Sequence, residues 1–359
     1  MAPDKIFIAF TGPPIDQPDP AHKIAEGFEC WNLKQFEFDH FIAVIKSGIA
    51  PIGENVLGNY KRRPDANATF GITEAEYTRS SWGLLLPDVA PRSAASGYAE
   101  ALFVLNLFSP YFLFPVFFVT DLGIDRPDHR RHPLLDFHEQ NQAHSFRREA
   151  FVQFYNALIS ESIYGSWRTD TMAKWNLEDW RLFTACLLFN ELKAYQGSKE
   201  VFTWQRESAN MATILEALFT AGGGDNTEVG YKLRKRAAAL LGFRLSNIEK
   251  EINDLYEQRS SFVHGSFFLK FRKSIRVEEG LAKLPSPPFE LLYRQKENIR
   301  RALIAYLYLS KIYRSNGDQF GDCKNVMDIL ERSIIDIELR AKVSVHVESI
   351  LSLLPIGNV

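Results

Sequence analysis

Arg259 and His264 stand with four residues between them in Leu255-Tyr256-Glu257-Gln258-Arg259-Ser260-Ser261-Phe262-Val263-His264-Gly265. They are a permanent cation and the one side chain whose ordinary titration falls near neutral pH, types that can hold an anion and move a proton. Spacing alone selects little. With 24 Arg and 8 His in 359 residues, an Arg followed by His after four to six residues arises by chance about 1.6 times. The chain has four such pairs: Arg126/His132, Arg131/His138, Arg259/His264 and Arg340/His346. The first two sit in a proline-interrupted connection and the last in the terminal helix, so context singles out Arg259/His264. At about 100° per residue, Arg259 falls within about 20° of Ile248, on the apolar stripe of its own helix. A cation there requires a carboxylate, a backbone carbonyl or an anion held at an interface. A plainer reading stands beside this one, because Arg, His and then Gly265 also suit a helix C-terminus, by dipole and by left-handed cap.

The elements that must position this pair are helices. Amphipathic helices are expected over 182–195, 204–219, 229–241, 246–265 and 297–313, with a further helix or pair over 326–354. Their stops are visible: Gly222-Gly223-Gly224 after the second and Gly242 after the third. Ser246 and Glu249 form an S-x-x-E capping box at the head of the fourth. A polar, proline-containing excursion, 273–288, precedes the fifth. Residues 1–165 instead mix short β-like runs (6–10, 29–38, 111–120) with Pro and Gly punctuation. The expected fold class is therefore mainly α: a C-terminal antiparallel helical bundle over 175–320, preceded by an irregular α+β region and followed by a helical tail, 321–359.

The phrase L-Y-x-x-R-S-x-x-V-H-G around Arg259 resembles the ApeA-like branch of the HEPN family. Leu215-Glu216-Ala217-Leu218-Phe219 and the run from Lys232 to Gly242 are similar to that family's preceding helices, in the same order. The resemblance covers roughly 182–313 and leaves the N-terminal half unplaced. It implies a HEPN-type bundle and a metal-independent ribonuclease working as a homodimer that brings two motifs face to face. It also implies roles: His264 as acid/base, Arg259 as phosphate ligand, and Ser260 orienting either group, with RNA as partner and no cofactor or metal. RNA supplies its own nucleophile, the 2′-hydroxyl, so such chemistry needs only proton transfer and positive charge on the phosphorane. Lys232, Arg236, Lys270 and Arg272 surround the motif as candidate substrate-binding cations, with a solvated helix face as the alternative. Glu216 is placed to pair with Arg259, a structural ion-pair partner rather than a catalyst.

Composition narrows the remaining classes. Forty-two basic residues against 44 acidic ones give a net charge of −2, so no global field steers the chain to nucleic acid or membrane, and any such binding is local. Cys30, Cys186 and Cys323 are scattered and form no C-x-x-C pair, which fits a reducing compartment, the cytoplasm, and excludes a cysteine-rich metal site. No export signal is read at the N-terminus, where 6–10 is broken at once by Thr11-Gly12-Pro13-Pro14. Residues 101–120 carry no charge and reach membrane-spanning length, but Asn106, Ser109, Pro110 and Pro115 argue for a buried helix followed by an extended segment. His129, His132, His138 and His144 gather near Asp128, Asp136 and Glu139 without the spacing of a helical metal pair, and read as a solvated loop. Two readings compete with the ribonuclease: a HEPN-like binding module using Arg259 and His264 structurally, and a membrane-associated scaffold held through 101–120.

Overall fold

The structure is a computed structural model that describes residues 5–11, 21–25, 28–33, 37–48, 72, 74–80, 82–87, 103–104, 106–109, 114–120, 123–125, 148–159, 175–194, 203–220, 228–242, 247–264, 276–278, 281–283 and 289–354. Helix dominates. The chain divides into two compact units, residues 1–156 with 354–358, and residues 157–353 with 359.

In unit 1 an antiparallel sheet is ordered β2-β3-β4-β1-β5-β6. Its strands are β1 (Lys5–Thr11), β2 (Ala21–Ala25), β3 (Phe28–Asn32), β4 (Trp82–Pro87), β5 (Phe114–Thr120) and β6 (Gly123–Asp125). Strand β1 is central, with Phe7 opposite Leu85 on one side and Val119 on the other. Helices α1 (Phe38–Gly48) and α2 (Glu74–Arg79) lie in the same unit. Phe7, Phe41 and Phe117 are fully buried, and the Phe41 ring lies 5.5 Å from Phe7 and 5.0 Å from Tyr77. Glycine at position 83 makes this packing possible, because a Cβ there would come within 2.2 Å of the Phe7 ring. Tyr77 donates to the Leu33 carbonyl at 2.6 Å, and burial pushes its phenol up to about 12.

The uncharged stretch 101–120 is broken as its prolines and polar residues require. Phe103, Val104 and Asn106 to Phe108 are helical, and β5 follows as an extended segment. Pro115, which has no N–H for a ladder, pairs with Phe10 at the point where the β1–β5 register shifts. The Phe108 ring packs at 5.2 Å on Phe151 and 5.3 Å on Phe154, both in α3 (Arg148–Ile159). Among the described residues no helix is long and apolar enough to cross a membrane.

Unit 2 is built on α4 (Leu177–Ala194), α5 (Thr203–Phe219), α6 (Val229–Leu241), α7 (Ile248–Val263), α8 (Phe289–Ser315), α9 (Val326–Ser333) and α10 (Ile337–Leu351). Asn176 and Asp179 open α4 reciprocally: each side chain accepts the other's backbone N–H at 3.0 Å, satisfying two donors the helix cannot. Leu182, Ala185, Cys186 and Phe189 then bury the face of α4 that packs on α5. The long helix α8 contacts α4, α5, α6, α7, α9 and α10. It starts at Phe289, eight residues earlier than the apolar pattern suggested, directly after Pro287-Pro288. The excursion before it contains an antiparallel pair, β7 (Arg276–Glu278) and β8 (Leu281–Lys283).

Two boundaries differ from expectation. The helices of the expected tail, α9 and α10, belong to unit 2, with Val326, Ile329, Val343 and Val347 buried against α6 and α8. The division between units falls at 156/157, within α3, rather than in the connection expected after residue 165. The Ser246 half of the expected capping box lies outside the described residues.

Candidate functional site

Helix α7 carries the Arg/His pair, and its sequence explains its course. Ile248, Ile252 and Leu255 recur at helical spacing and are buried. Glu249 and Glu251 lie in the first turn, where acidic side chains favour the positive end of the helix dipole. Arg259 continues the buried stripe by one more turn, at the rim of the bundle, where it is half-buried. Its Nη2 stands 3.6 Å from Glu216 Oε1, and both side chains keep about a quarter of their surface exposed, 27% and 26%. The guanidinium carbon also lies 5.9 Å from the Tyr256 ring, a cation–π contact one turn back.

Glu216 is held in place by the way α5 ends. The last carbonyls of a helix lack partners within it, and two arginines from other helices supply them. Arg236 Nη1 donates to the Phe219 carbonyl at 2.5 Å, and Arg181 Nη1 donates to the Thr220 carbonyl at 2.7 Å. Thr220 Oγ1 closes back on the Glu216 carbonyl at 2.6 Å. The carboxylate that faces Arg259 thus sits on a capped, fixed turn.

His264 lies one residue past the end of α7. Its N–H donates to the Ser260 carbonyl at 3.0 Å, so helical geometry extends to it, and the residue is exposed. Five residues along a helix advance about 7.5 Å and turn about 140°, so Arg259 and His264 emerge on different sides of the same helix end. The fold brings Arg259 together with Glu216; it does not stack the imidazole on the guanidinium. Ser260 is half-buried beside them.

The four candidate substrate-binding cations fare differently. Lys232 is half-buried on α6. Arg236 requires correction: it is 5% exposed, donates to Phe219 and, through Nη2, to Glu331 Oε2 at 2.8 Å, and so is a structural tie between α5, α6 and α9 with no surface for RNA. It lies on the buried face of α6 with Leu233, Ala237 and Leu240, which carries its guanidinium inward. Its neighbour Lys235 is engaged at 3.0 Å by Glu249. Lys270 and Arg272 lie outside the described residues, as do the histidines at 129, 132, 138 and 144. Among the described residues no group of three or more His, Cys, Asp or Glu is arranged to hold a metal ion.

Sequence reading missed a second set of polar residues. Glu178, Arg181, Tyr306 and Asn325 meet at a cavity between α4, α5, α8 and α9. The Asn-x-x-Asp box at 176–179 marked the start of α4, but nothing local marked the cavity, whose walls are far apart in the chain. No protein-family model, curated protein or solved structure matches this chain.

Proposed function

We propose that this chain is a metal-independent endoribonuclease of the HEPN type, a cytoplasmic toxin or antiviral effector that cleaves RNA as a homodimer. The observation that carries this reading is the state of the motif at the end of α7. His264 is exposed, and the Arg259 guanidinium is partly open to solvent, its ion pair to Glu216 long at 3.6 Å. A phosphate accepting two charge-assisted hydrogen bonds from the guanidinium competes well with such a pair.

The chemistry is a transesterification. The 2′-hydroxyl oxygen attacks the adjacent phosphorus, the O2′–P bond forms, the P–O5′ bond breaks, and the products are a 2′,3′-cyclic phosphate and a 5′-hydroxyl. His264 of one protomer takes the 2′-proton, the same residue of the second protomer protonates O5′, and Arg259 binds the phosphorane. The two side chains diverge by about 140° around one helix end, so a shared site assembled from Arg259 and His264 of two helix ends suits the geometry better than one helix acting alone. Charge and proton transfer both come from side chains, so the scheme requires no metal. Unit 1 would serve as sensor or regulator.

The test is RNA degradation by the purified chain in EDTA. Cleavage with 2′,3′-cyclic phosphate ends is expected, reduced at least about 100-fold in His264→Ala, since positioned general acid–base catalysis is worth that much or more. A Mg²⁺ requirement, 3′-hydroxyl ends, or full activity from a strict monomer overturns the proposal. Because His264 is exposed, its replacement should leave the unfolding midpoint unchanged. The Glu216–Arg259 pair favours a second reading, a HEPN-like RNA- or protein-binding module in which these residues hold the fold. That reading predicts binding without cleavage in the same assay.

A further inference from the structure

Away from α7, unit 2 encloses a cavity of about 220 Å³. That is the liquid volume of about seven waters, room for a ligand of roughly ten non-hydrogen atoms. Its body is aliphatic, from Leu182, Ala217, Leu218 and Met327, and Leu177, 60% exposed, forms its rim. Into this apolar space come a carboxylate, a guanidinium and a carboxamide, each with bonding capacity to spare. Glu178 accepts from the Tyr306 hydroxyl at 3.0 Å through Oε1, leaving Oε2 as an acceptor. Arg181 spends Nη1 on the Thr220 carbonyl and keeps the rest of its fork. Asn325 Oδ1 caps α9 by accepting from Asp328 at 2.9 Å, which leaves its Nδ2 hydrogens to donate.

The lining carries one negative and one positive side chain, so it complements a ligand that carries one of each rather than an anion or a cation alone. With Tyr306 as the single aromatic ring in the lining and its hydroxyl already given to Glu178, the predominantly aliphatic walls favour a branched or linear hydrocarbon body over a stacked ring. Burial, the largest influence on Glu178, raises its pKa above the ordinary value, while the Tyr306 bond, Arg314 and Arg181 pull the other way. A half-buried carboxylate that makes no direct ion pair among the described residues gains from an arriving ammonium. We infer that this cavity binds a small zwitterion with an aliphatic body, the class of an aliphatic α-amino acid, with its ammonium on Glu178 and its carboxylate on Arg181 and Asn325. The inference stands independently of the ribonuclease proposal.

The experiment is calorimetric titration of the full chain with L-leucine and L-methionine, alongside isopentylamine and 4-methylpentanoic acid, which each lack one of the two charges, and adenine as a flat heteroaromatic probe. The amino acids should bind with Kd below about 1 mM, and each single-charge analogue at least about tenfold more weakly, the worth of one charge-assisted hydrogen bond. Glu178→Gln should weaken L-leucine by a similar factor. Ala217→Trp, at a half-buried position, should abolish binding by filling the cavity without removing a polar contact. It keeps the inference testable if an Arg181 variant, deprived of the α5 cap, fails to fold. No heat from either amino acid up to about 10 mM, equal binding of the amine or the acid, preference for adenine, or unchanged L-leucine binding by folded Ala217→Trp would each overturn it.

Discussion

Arg300 and Arg259 sit on contacting helices, α8 and α7, and answer the cost of charge in opposite ways. Arg300 is 1% exposed and forks both oxygens of Glu297, with Nε at 2.7 Å and Nη2 at 2.6 Å, while Arg301 Nε reaches the same carboxylate at 2.8 Å. Arg259 keeps a quarter of its side-chain surface in water and settles for a 3.6 Å pair with Glu216 and the face of the Tyr256 ring. Removing an ion fully from water costs several kcal/mol, so an interior arginine exists only where its partners are complete. A rim arginine has no such obligation, and its free donors remain available to a ligand. Completeness of bonding thus separates Arg300, which holds the fold, from Arg259, the arginine proposed to take phosphate.

The strongest way to break this contrast is at Arg300. Arg300→Met should lower stability by about 3–5 kcal/mol, because Glu297 is left buried with only Arg301; a urea midpoint close to that of the wild type would contradict the burial argument. The pair also fixes a pH dependence. Burial alone would raise the Glu297 pKa, but Arg300 and Arg301 outweigh it and hold it below the ordinary value of 4.5. A depressed carboxylate contributes stability above its unfolded pKa and loses it as pH falls through the folded value. The wild-type midpoint should therefore fall on acidification below about pH 4.5, with a shallower slope in Glu297→Gln over the same range.

Arg236 sharpens the comparison at intermediate size. Arg236→Ala orphans the Phe219 carbonyl at the end of α5 and should cost about 1–3 kcal/mol. Little of that loss comes from Glu331, whose side chain is 61% exposed and rehydrates. Because Arg236 is buried, the salt dependence of any RNA binding should be unaltered in the folded variant. A slope reduced by about one unit would restore it to the phosphate contacts.

Arg236 also marks where sequence reading stops. In the sequence it is one cation among Lys232, Arg234 and Lys235; helical spacing from Leu233, Ala237 and Leu240 puts it on the apolar face, but nothing nearby supplies the partners that satisfy it there. Its partners come from 17 and 95 residues away. The helices around it were legible because their signals are local: the expected 229–241 coincides with α6, and 204–219 misses α5 by one residue. Glu216 opposite Arg259 was legible too, since both fall on predictable stripes of adjacent helices. The strands were harder. Trp82–Pro87 is an apolar run without alternation, and its identity as β4 depends on β1, which is distant in the chain. The start of α8 was missed because charged residues within 289–297 obscured the period. The cavity was invisible for the same reason as the partners of Arg236: its walls come from four helices that only the fold assembles.

The smallest effect is the most informative about function. Arg259 and Glu216 form a partly exposed pair at 3.6 Å, and pairs of this kind couple by about 0.2–1 kcal/mol. A double-mutant cycle of Arg259→Ala and Glu216→Ala on the urea midpoint should fall in that range, with neither single variant approaching the loss at Arg300. In RNA cleavage the two residues should part company. Arg259→Ala removes the proposed phosphate ligand and should reduce the rate at least about 100-fold, in line with loss of a preorganised charge donor. Glu216→Gln keeps the shape of the α5 terminus, which Arg236 and Arg181 hold through Phe219 and Thr220 rather than through this carboxylate. It removes the charge that competes with phosphate for the guanidinium, so cleavage should persist or rise. Equal loss in both variants would mean that Arg259 acts only through its bond to Glu216, and would move the pair to the side of Arg300 in the comparison. A coupling energy above about 3 kcal/mol would say the same in thermodynamic terms, since only a desolvated pair reaches that value.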